Sequence, residues 1–166
     1  GHGLDPASQF GPLISAGQRE RVRGYVDAGK REGGELVCGG DAPARPGYFF
    51  EPTVFARMRA DMTPVKSEIF GPVLCVQSFD DADLDRVAAE ANSTIYGLSG
   101  SVWTRDIGLA MQMVRRIDAG QVSVNMHAAL DPAMPFGGNK QSGWGREFGK
   151  EGLEPYLKTK GVSVAW

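Results

Sequence analysis

The chain has 166 residues, enough for one ordinary domain, and its 18 basic and 20 acidic side chains leave a formal net charge of −2. This balance supplies no basic field for a nucleic-acid backbone, and no apolar run approaches the roughly 18 residues that a membrane helix needs. Its two cysteines, Cys38 and Cys75, lie outside any CxxC pair, which argues against a disulfide framework and against a cysteine zinc site.

The first residues have the character of a trimmed chain end. Gly1 and His2 are interpreted as the remnant of a purification tag, which leaves residues 3–166 for the domain itself. Residues 4–13 are rich in proline and glycine and are typical of a loop. Such an opening predicts a piece of a longer protein. Because no basic start is followed by an apolar run, we expect a cytoplasmic location.

The first half of the chain predicts one helix and short extended segments. Ser15 is a good N-cap, and an apolar stripe at i, i+3, i+4 and i+7 from Val22 predicts a surface helix. Residues 35–38 are typical of a short strand. Aromatic and β-branched residues over 48–58 predict extended chain, with an edge or a bend where a proline interrupts it.

Alternating strands and helices follow, and they predict an α/β fold. Strands are expected over 72–79, 99–103 and 121–125, with helices over 80–92 and about 106–117 between them. This order is a βαβαβ pattern, which predicts a parallel sheet with right-handed crossovers. Because its first strand is almost continuously apolar, that strand is expected to be covered on both faces.

The remaining features of the second half are local. Thr104 is predicted to cap the second of these helices. A glycine-rich loop is expected over 128–149, followed by a short helix over 151–157 that needs Pro155 in its first turn. Residues 162–166 alternate in polarity like a terminal strand.

Position in the fold makes the loop after Asn125 a candidate site, since ligands in open parallel sheets bind beyond the carboxyl ends of strands. His127 lies in this loop, where it is either a functional group or a loop histidine with no proton role. The segment 135–147 matches neither the P-loop nor the dinucleotide fingerprint. Its alternative interpretation is a tightly turned loop packed against neighbouring backbone.

A second candidate site precedes the first strand of the βαβαβ pattern. Glu68 and Phe70 stand two residues apart, and in extended backbone such residues share a face. The carboxylate can then accept hydrogen bonds from a polar ligand while the phenyl ring packs on it. The alternative is a strand entry with a solvated carboxylate. Cys38 and Cys75 are both interpreted as structural, because neither sits at a helix N-terminus or in a basic niche.

Motifs spread along the chain resemble the aldehyde dehydrogenase superfamily. The pairing of Glu68-Ile-Phe-Gly-Pro72 with Pro-Phe-Gly-Gly-x-Lys-x-Ser-Gly-x-Gly-Arg over 135–146 is highly specific. The order and spacing hold over residues 4–166. Further matching stretches are Leu4-Asp-Pro with Gly11-Pro-Leu-Ile14, Gly47-Tyr-Phe with Pro52-Thr-Val-Phe55, Asn92 with Tyr96-Gly-Leu98, and Gly145-Arg-Glu147.

The resemblance implies part of the catalytic domain of an enzyme that oxidises aldehydes to acids with NAD or NADP. It implies that Glu68 binds the hydroxyls of the nicotinamide ribose and that Phe70 positions the nicotinamide ring. It also implies that Leu130 and Phe136 line the aldehyde tunnel, with His127 nearby. The apolar character of this loop favours an aromatic or medium aliphatic aldehyde.

The same resemblance implies that this chain is only part of an enzyme and that the enzyme is an oligomer. In the family, the nucleophilic cysteine, the general-base glutamate and the glycine motif for the pyrophosphate lie upstream of the matching motifs, and none has a counterpart here. The chain therefore resembles the C-terminal portion of the family, and we expect it to be inactive and without bound cofactor when isolated. Residues 162–166 would join an oligomerisation sheet, so a homo-oligomer is expected.

Two alternatives from other functional classes remain open at this point. The missing nucleophile would also suit a non-enzymatic module that reuses the fold for assembly or for small-molecule binding. A relative that forms acyl-coenzyme A, or one specific for a semialdehyde, would share the thioester stage of the reaction.

Overall fold

Residues 1–80, 83–127 and 130–166 are described by a computed structural model of the chain, and they fall into two units, Gly1–Asp80 and Asp81–Trp166. Both units combine helices with strands, so the predicted α/β class is confirmed. Among these described residues, no helix is long and apolar enough to cross a membrane.

The first unit packs two helices with a three-stranded sheet. Its elements in chain order are α1 (Ala16–Arg31), β1 (Glu35–Cys38), β2 (Thr53–Ala56), α2 (Thr63–Lys66) and β3 (Val73–Cys75). The sheet order is β1-β2-β3, with β1 antiparallel and β3 parallel to β2. The pairing of β3 with β2 was not predicted, since β2 was expected only as extended chain.

The helix predicted from Ser15 is confirmed, and so is its cap, because the Ser15 hydroxyl accepts a hydrogen bond from the amide of Gln18 at 3.1 Å. The apolar face of α1 enters a core around Phe55, which is fully buried. The buried members of that core are Val22, Val26, Phe50, Phe55, Met58, Met62 and Ile69.

The strand expected over 72–79 is shorter than predicted. Only Val73–Cys75 is a strand, and Leu74 is 58% exposed. The expectation that both faces are covered is therefore wrong for this chain, because among the described residues no layer packs over the face that carries Leu74. An apolar run in the sequence indicates a tendency to be buried, whereas burial itself requires a neighbouring element that packs on the strand.

The second unit contains a β-α-β crossover. Its elements are α3 (Leu84–Ala91), β4 (Tyr96–Gly97), β5 (Ser99–Val102), α4 (Ile107–Arg116), β6 (Gln121–Val124) and β7 (Asn139–Lys140), followed by a 3-10 turn over Glu154–Tyr156. The strands β5 and β6 flank α4 and pair in parallel, as predicted, with Ser99 opposite Gln121. The single βαβαβ sheet expected from the sequence does not form among the described residues, because β3 pairs with β2 and β5 pairs with β6 in a separate sheet. The strands β4 and β7 pair antiparallel, and neither was predicted.

The cap of α4 differs from the prediction. The Asp106 carboxylate accepts from the amide of Leu109 at 3.1 Å and is the N-cap. Thr104 lies two residues earlier, and its hydroxyl accepts from the Asp106 amide at 3.1 Å. Both residues therefore shape the entry to α4, but only Asp106 accepts a hydrogen bond from an amide of the helix itself, that of its third residue.

The end of the chain differs from the sequence expectation in two ways. The predicted short helix over 151–157 is only the 3-10 turn, with Pro155 near its start as required. Residues 162–166 are exposed and form no strand within the described part of the chain, so the predicted terminal strand does not form here. A strand requires a hydrogen-bonding neighbour, and no described segment of this chain provides one.

Candidate functional site

The candidate site of the first unit is a cleft beside the turn 68–72. Its volume is ≈ 430 Å³, and both Glu68 and Phe70 line it, as the sequence predicted they would share a face. Ile69 between them is buried in the core, which fixes the turn to the unit and directs its two neighbours outward. The other lining residues are Pro64, Val65, Ser67, Ile69, Gly71, Val73 and Cys75.

The backbone of this turn is not the regular extended chain on which the sequence argument relied. Phe70 has φ of +51°, in the left-handed region that residues with a Cβ seldom adopt. The amide of Val73 then donates back to the Gly71 carbonyl at 2.8 Å, while the Pro72 carbonyl accepts from Thr53 in β2 at 2.8 Å. The turn thus leads directly into the sheet, and the pairing of β3 with β2 fixes its C-terminal end.

The Glu68 carboxylate and the Phe70 ring are both available to a ligand. Glu68 is half-buried, and its carboxylate accepts no hydrogen bond from the residues that the structure describes. The Phe70 side chain is 73% exposed. A carboxylate with two free acceptor oxygens suits adjacent hydroxyl groups, and an exposed phenyl face suits a flat ring.

Side chains of helix α1 contact the backbone of this turn. The side-chain amide nitrogen of Gln18 donates to the carbonyls of Ile69 at 3.0 Å and Phe70 at 2.8 Å. The Arg21 guanidinium makes a longer contact, 3.4 Å, with the Glu68 carbonyl. A Cβ on Gly71 would overlap the Val22 side chain, so only glycine allows this approach. These contacts were not predictable from the sequence, because no sequence signal links positions about 50 residues apart.

The two cysteines lie in different surroundings. Cys75 lines the cleft and is half-buried, and burial raises the pKa of its thiol, which disfavours the thiolate that a nucleophile needs. Cys38 is exposed, with its Sγ 3.9 Å from the Pro52 carbonyl oxygen. In the described ranges, no three His, Cys, Asp or Glu side chains are grouped to hold a metal ion.

The candidate residues of the second unit are less closely grouped. His127 follows β6 and is exposed, with its Nδ1 3.3 Å from the Ser101 hydroxyl of β5. Leu130 is 55% exposed. Phe136 lines a cleft of ≈ 400 Å³ with Leu98, Trp144 and other residues of its loop, and neither His127 nor Leu130 lines it. The structure therefore brings only Phe136 of these three to this cleft.

The glycine-rich loop around Phe136 packs tightly on backbone, which confirms the alternative interpretation of that segment. A Cβ on Gly120 would overlap the Gly137 carbonyl. Phe136 and Glu147 exchange backbone hydrogen bonds of 2.7 Å across the loop. The Arg146 guanidinium donates to the Gly138 and Gly145 carbonyls at 3.0 and 2.7 Å.

The lysine of the same loop is also held by backbone. Lys140 Nζ donates to the Asn92 carbonyl at 2.9 Å and to the Thr94 carbonyl at 3.3 Å. Its third neighbour is the Asp118 carboxylate at 3.6 Å. The cations of this motif therefore hold the loop in place and are not free to receive a phosphate.

Comparison with known proteins identifies the class of fold. An aldehyde dehydrogenase from Bacillus cereus superposes with a TM-score of 0.93 and 43% identity, covering 99% of this chain and 33% of that one. A betaine aldehyde dehydrogenase from Staphylococcus aureus, in complex with NAD⁺, superposes with a TM-score of 0.90 and 41% identity over 96% of this chain and 33% of that one. The α/β architecture is thus that of one part of the aldehyde dehydrogenase fold.

The sequence comparisons identify the family. The profile of the aldehyde dehydrogenase family matches residues 1–162, and the chain belongs to that family. Betaine aldehyde dehydrogenase of Rhizobium leguminosarum is 46% identical over 99% of this chain and 34% of its own length. Human mitochondrial 10-formyltetrahydrofolate dehydrogenase is 43% identical over 100% of this chain and 18% of its own. The chain thus spans a third or less of these relatives.

Proposed function

We propose that the protein containing this chain oxidises an aldehyde to a carboxylic acid with NAD or NADP, and that residues 68–72 supply part of its cofactor site. The observation that carries the proposal is the cleft in which a carboxylate without a partner among the described residues stands beside an exposed phenyl ring. Support also comes from the Staphylococcus aureus relative, which was solved with NAD⁺.

The residues of the cleft fit a nicotinamide riboside. The two oxygens of Glu68 accept hydrogen bonds from the ribose hydroxyls, and each such charge-assisted bond is worth about 1.5–3 kcal/mol. Phe70 packs on the flat ring and limits its rotation. When bound, the cofactor supplies the hydride acceptor of the oxidation. The contribution of Glu68 and Phe70 is to orient it.

The second unit is proposed to contribute to the substrate side. His127, Leu130 and Phe136 form part of the wall that the aldehyde meets, and their mainly apolar character favours an aromatic or medium aliphatic substrate. We assign the chain to the C-terminal portion of the enzyme, in which residues 162–166 join a neighbouring subunit. On this proposal the isolated chain is inactive and binds no cofactor, and the whole protein is a cytoplasmic homo-oligomer.

The test is Glu68→Gln in the protein expressed from its complete gene. The amide keeps the size of the side chain but loses its charge and one acceptor. We therefore expect the KM for the cofactor to rise about tenfold, the size of one weakened charge-assisted hydrogen bond. Initial rates at varied cofactor and varied aldehyde measure this, and the KM for the aldehyde should not change.

The matched control is Glu51→Gln, which changes an exposed carboxylate of the same unit and should leave both constants unchanged. The isolated 166-residue chain should reduce no cofactor in the presence of aldehydes. Unchanged kinetics of Glu68→Gln at limiting and at saturating cofactor would remove Glu68 from the proposed role. A requirement for coenzyme A in product formation would instead favour an acylating relative.

A further inference from the structure

One face of α1 contacts four consecutive residues of the turn 68–71. Gln18, Arg21 and Val22 stand at i, i+3 and i+4, so their side chains leave the helix on the same side. Arg21 reaches the carbonyl of residue 68, Gln18 reaches the carbonyls of residues 69 and 70, and Val22 packs on Gly71. Of these contacts, the two made by Gln18 are the short ones.

The turn needs such support because its conformation is unfavourable for its residues. Phe70 holds a left-handed backbone in spite of its Cβ, and its ring has little packing to hold it, being exposed. The Phe70 carbonyl points to α1, where the amide of Gln18 is its hydrogen-bond donor. Without that donor, the Phe70 carbonyl would lose its hydrogen bond to α1, and the backbone that carries the ring would be less constrained.

Gln18 is well placed to impose one geometry. The backbone amide of Gln18 donates to the Ser15 hydroxyl at the first turn of α1, so the helix cap fixes the backbone of this residue. The side-chain group that faces the two carbonyls must be the NH₂ end, because a carbonyl oxygen there could not donate. One nitrogen with two hydrogens thus bridges two successive carbonyls.

We propose that Gln18 is a positioning residue for the cofactor: it holds the turn so that Glu68 and Phe70 face the cleft together. This inference rests on the proposed function of that cleft. Gln18 acts through the backbone of residues 69 and 70, so its removal changes the orientation of the carboxylate and the ring while the chemical groups themselves remain.

The experiment replaces the amide in the protein expressed from its complete gene. Gln18→Met keeps the length of the side chain and removes both donors, and we expect it to raise the KM for the cofactor about five- to tenfold, as for loss of about one net hydrogen bond. The KM for the aldehyde should not change. Gln18→Lys retains a donor of similar reach and should restore the cofactor KM to within about twofold of the wild type. Gln112→Met on α4 is the matched control, since that glutamine side chain is exposed.

A double-mutant cycle separates this proposal from the function on which it rests. If Gln18 acts through the turn, Gln18→Met adds less to the cofactor KM in the Glu68→Gln background than in the wild type. Fully additive effects, or a fall in kcat with both KM values unchanged, would overturn the positioning role. A cofactor KM that responds to Glu68→Gln but not to Gln18→Met overturns this inference alone. If neither variant changes it, both proposals are wrong.

Discussion

Phe70 and Asn125 show how the backbone of one residue places a candidate site. Both have φ between +50° and +60°, at +51° and +55°. Asn125 stabilises this conformation with its own side chain, which accepts from the Thr104 amide and donates to the Thr104 carbonyl, each at 2.9 Å. That pair ties the ends of β5 and β6 together, immediately before His127. Phe70 has no such local partner and depends on α1.

Gly120 illustrates a glycine that is required by close approach of backbone and not by its own φ. Gly120→Ala places a methyl group against the Gly137 carbonyl, so the loop that carries Phe136 must move. Overpacking of this kind costs about 1–3 kcal/mol. We expect a lower urea midpoint by circular dichroism and faster hydrogen exchange at the amides of β6.

The control for this variant is Gly161→Ala, because nothing lies within 4 Å of the added methyl group there. It should match the wild type in both measurements. Equal stability of Gly120→Ala and the wild type would show that the loop relaxes around the methyl group, and the tight backbone packing would then not be a requirement of the fold.

The junction of α1 with α2 depends on one carboxylate. Glu32 follows the last turn of α1, and its two oxygens accept from the amide and the hydroxyl of Thr63 at 2.7 and 2.6 Å. Thr63 is the first residue of α2, so Glu32 satisfies a helix-end donor of the next element. These hydrogen bonds lower the pKa of Glu32 below its usual 4.5, the side-chain bond to Thr63 contributing most.

This shift predicts a pH dependence of stability. Because the pKa of Glu32 is lower in the folded chain, its contribution is complete above the unfolded value of 4.5 and is lost as the pH falls through the lowered value. We expect Glu32→Gln to lower the urea midpoint at neutral pH and to approach the wild type as the pH falls through the lowered pKa of Glu32, where the carboxylate becomes protonated. Denaturation followed by circular dichroism at neutral and at acidic pH measures the difference.

The comparison variant is Glu51→Gln, which changes an exposed carboxylate of the same unit and should leave the urea midpoint close to that of the wild type. Since Glu32 lies at the surface, solvent weakens its hydrogen bonds and the effect is small. A gap between Glu32→Gln and the wild type that stayed constant down to about pH 3 would assign it to packing and not to the charge of Glu32.

As a whole, the isolated chain presents much apolar surface to water. Trp144 is 98% exposed, and the terminal residues Val162, Val164 and Trp166 are exposed as well. Large exposed apolar patches drive association. We therefore expect the chain to associate at micromolar concentration, with rising light-scattering mass and a blue shift of tryptophan emission as exposed indoles become buried.

A variant of the terminal segment tests which surface is responsible. Val164→Lys places a charge within 162–166 and should reduce the mass if that segment pairs with another copy. A monomer at micromolar concentration, with emission independent of concentration, would contradict the expectation. Association unchanged by Val164→Lys would locate the contact elsewhere, for instance around Trp144.

Local features were predictable from the sequence. The Ser15 cap, the apolar stripe of α1 and the two strands that flank α4 each depend on residues within a few positions of one another. Caps and helical periods are short-range hydrogen-bond and side-chain geometries, so the order of residues carries them. Glu68 and Phe70 do line one cleft, but the left-handed backbone of Phe70 is not the extended chain from which this was predicted. The family motifs added the expected roles but not the contacts.

Relations between distant residues required the folded chain. No local sequence pattern indicates the parallel pairing of β3 with β2 or the short strands β4 and β7. The same holds for the hydrogen bonds from the side-chain amide of Gln18 to carbonyls 51 and 52 residues away. The terminal segment differs for the same reason: alternating polarity favours a strand, but a strand forms only where another backbone lies beside it. Tertiary packing brings such partners together, and the pattern of residues along the sequence does not specify which distant segments will pack.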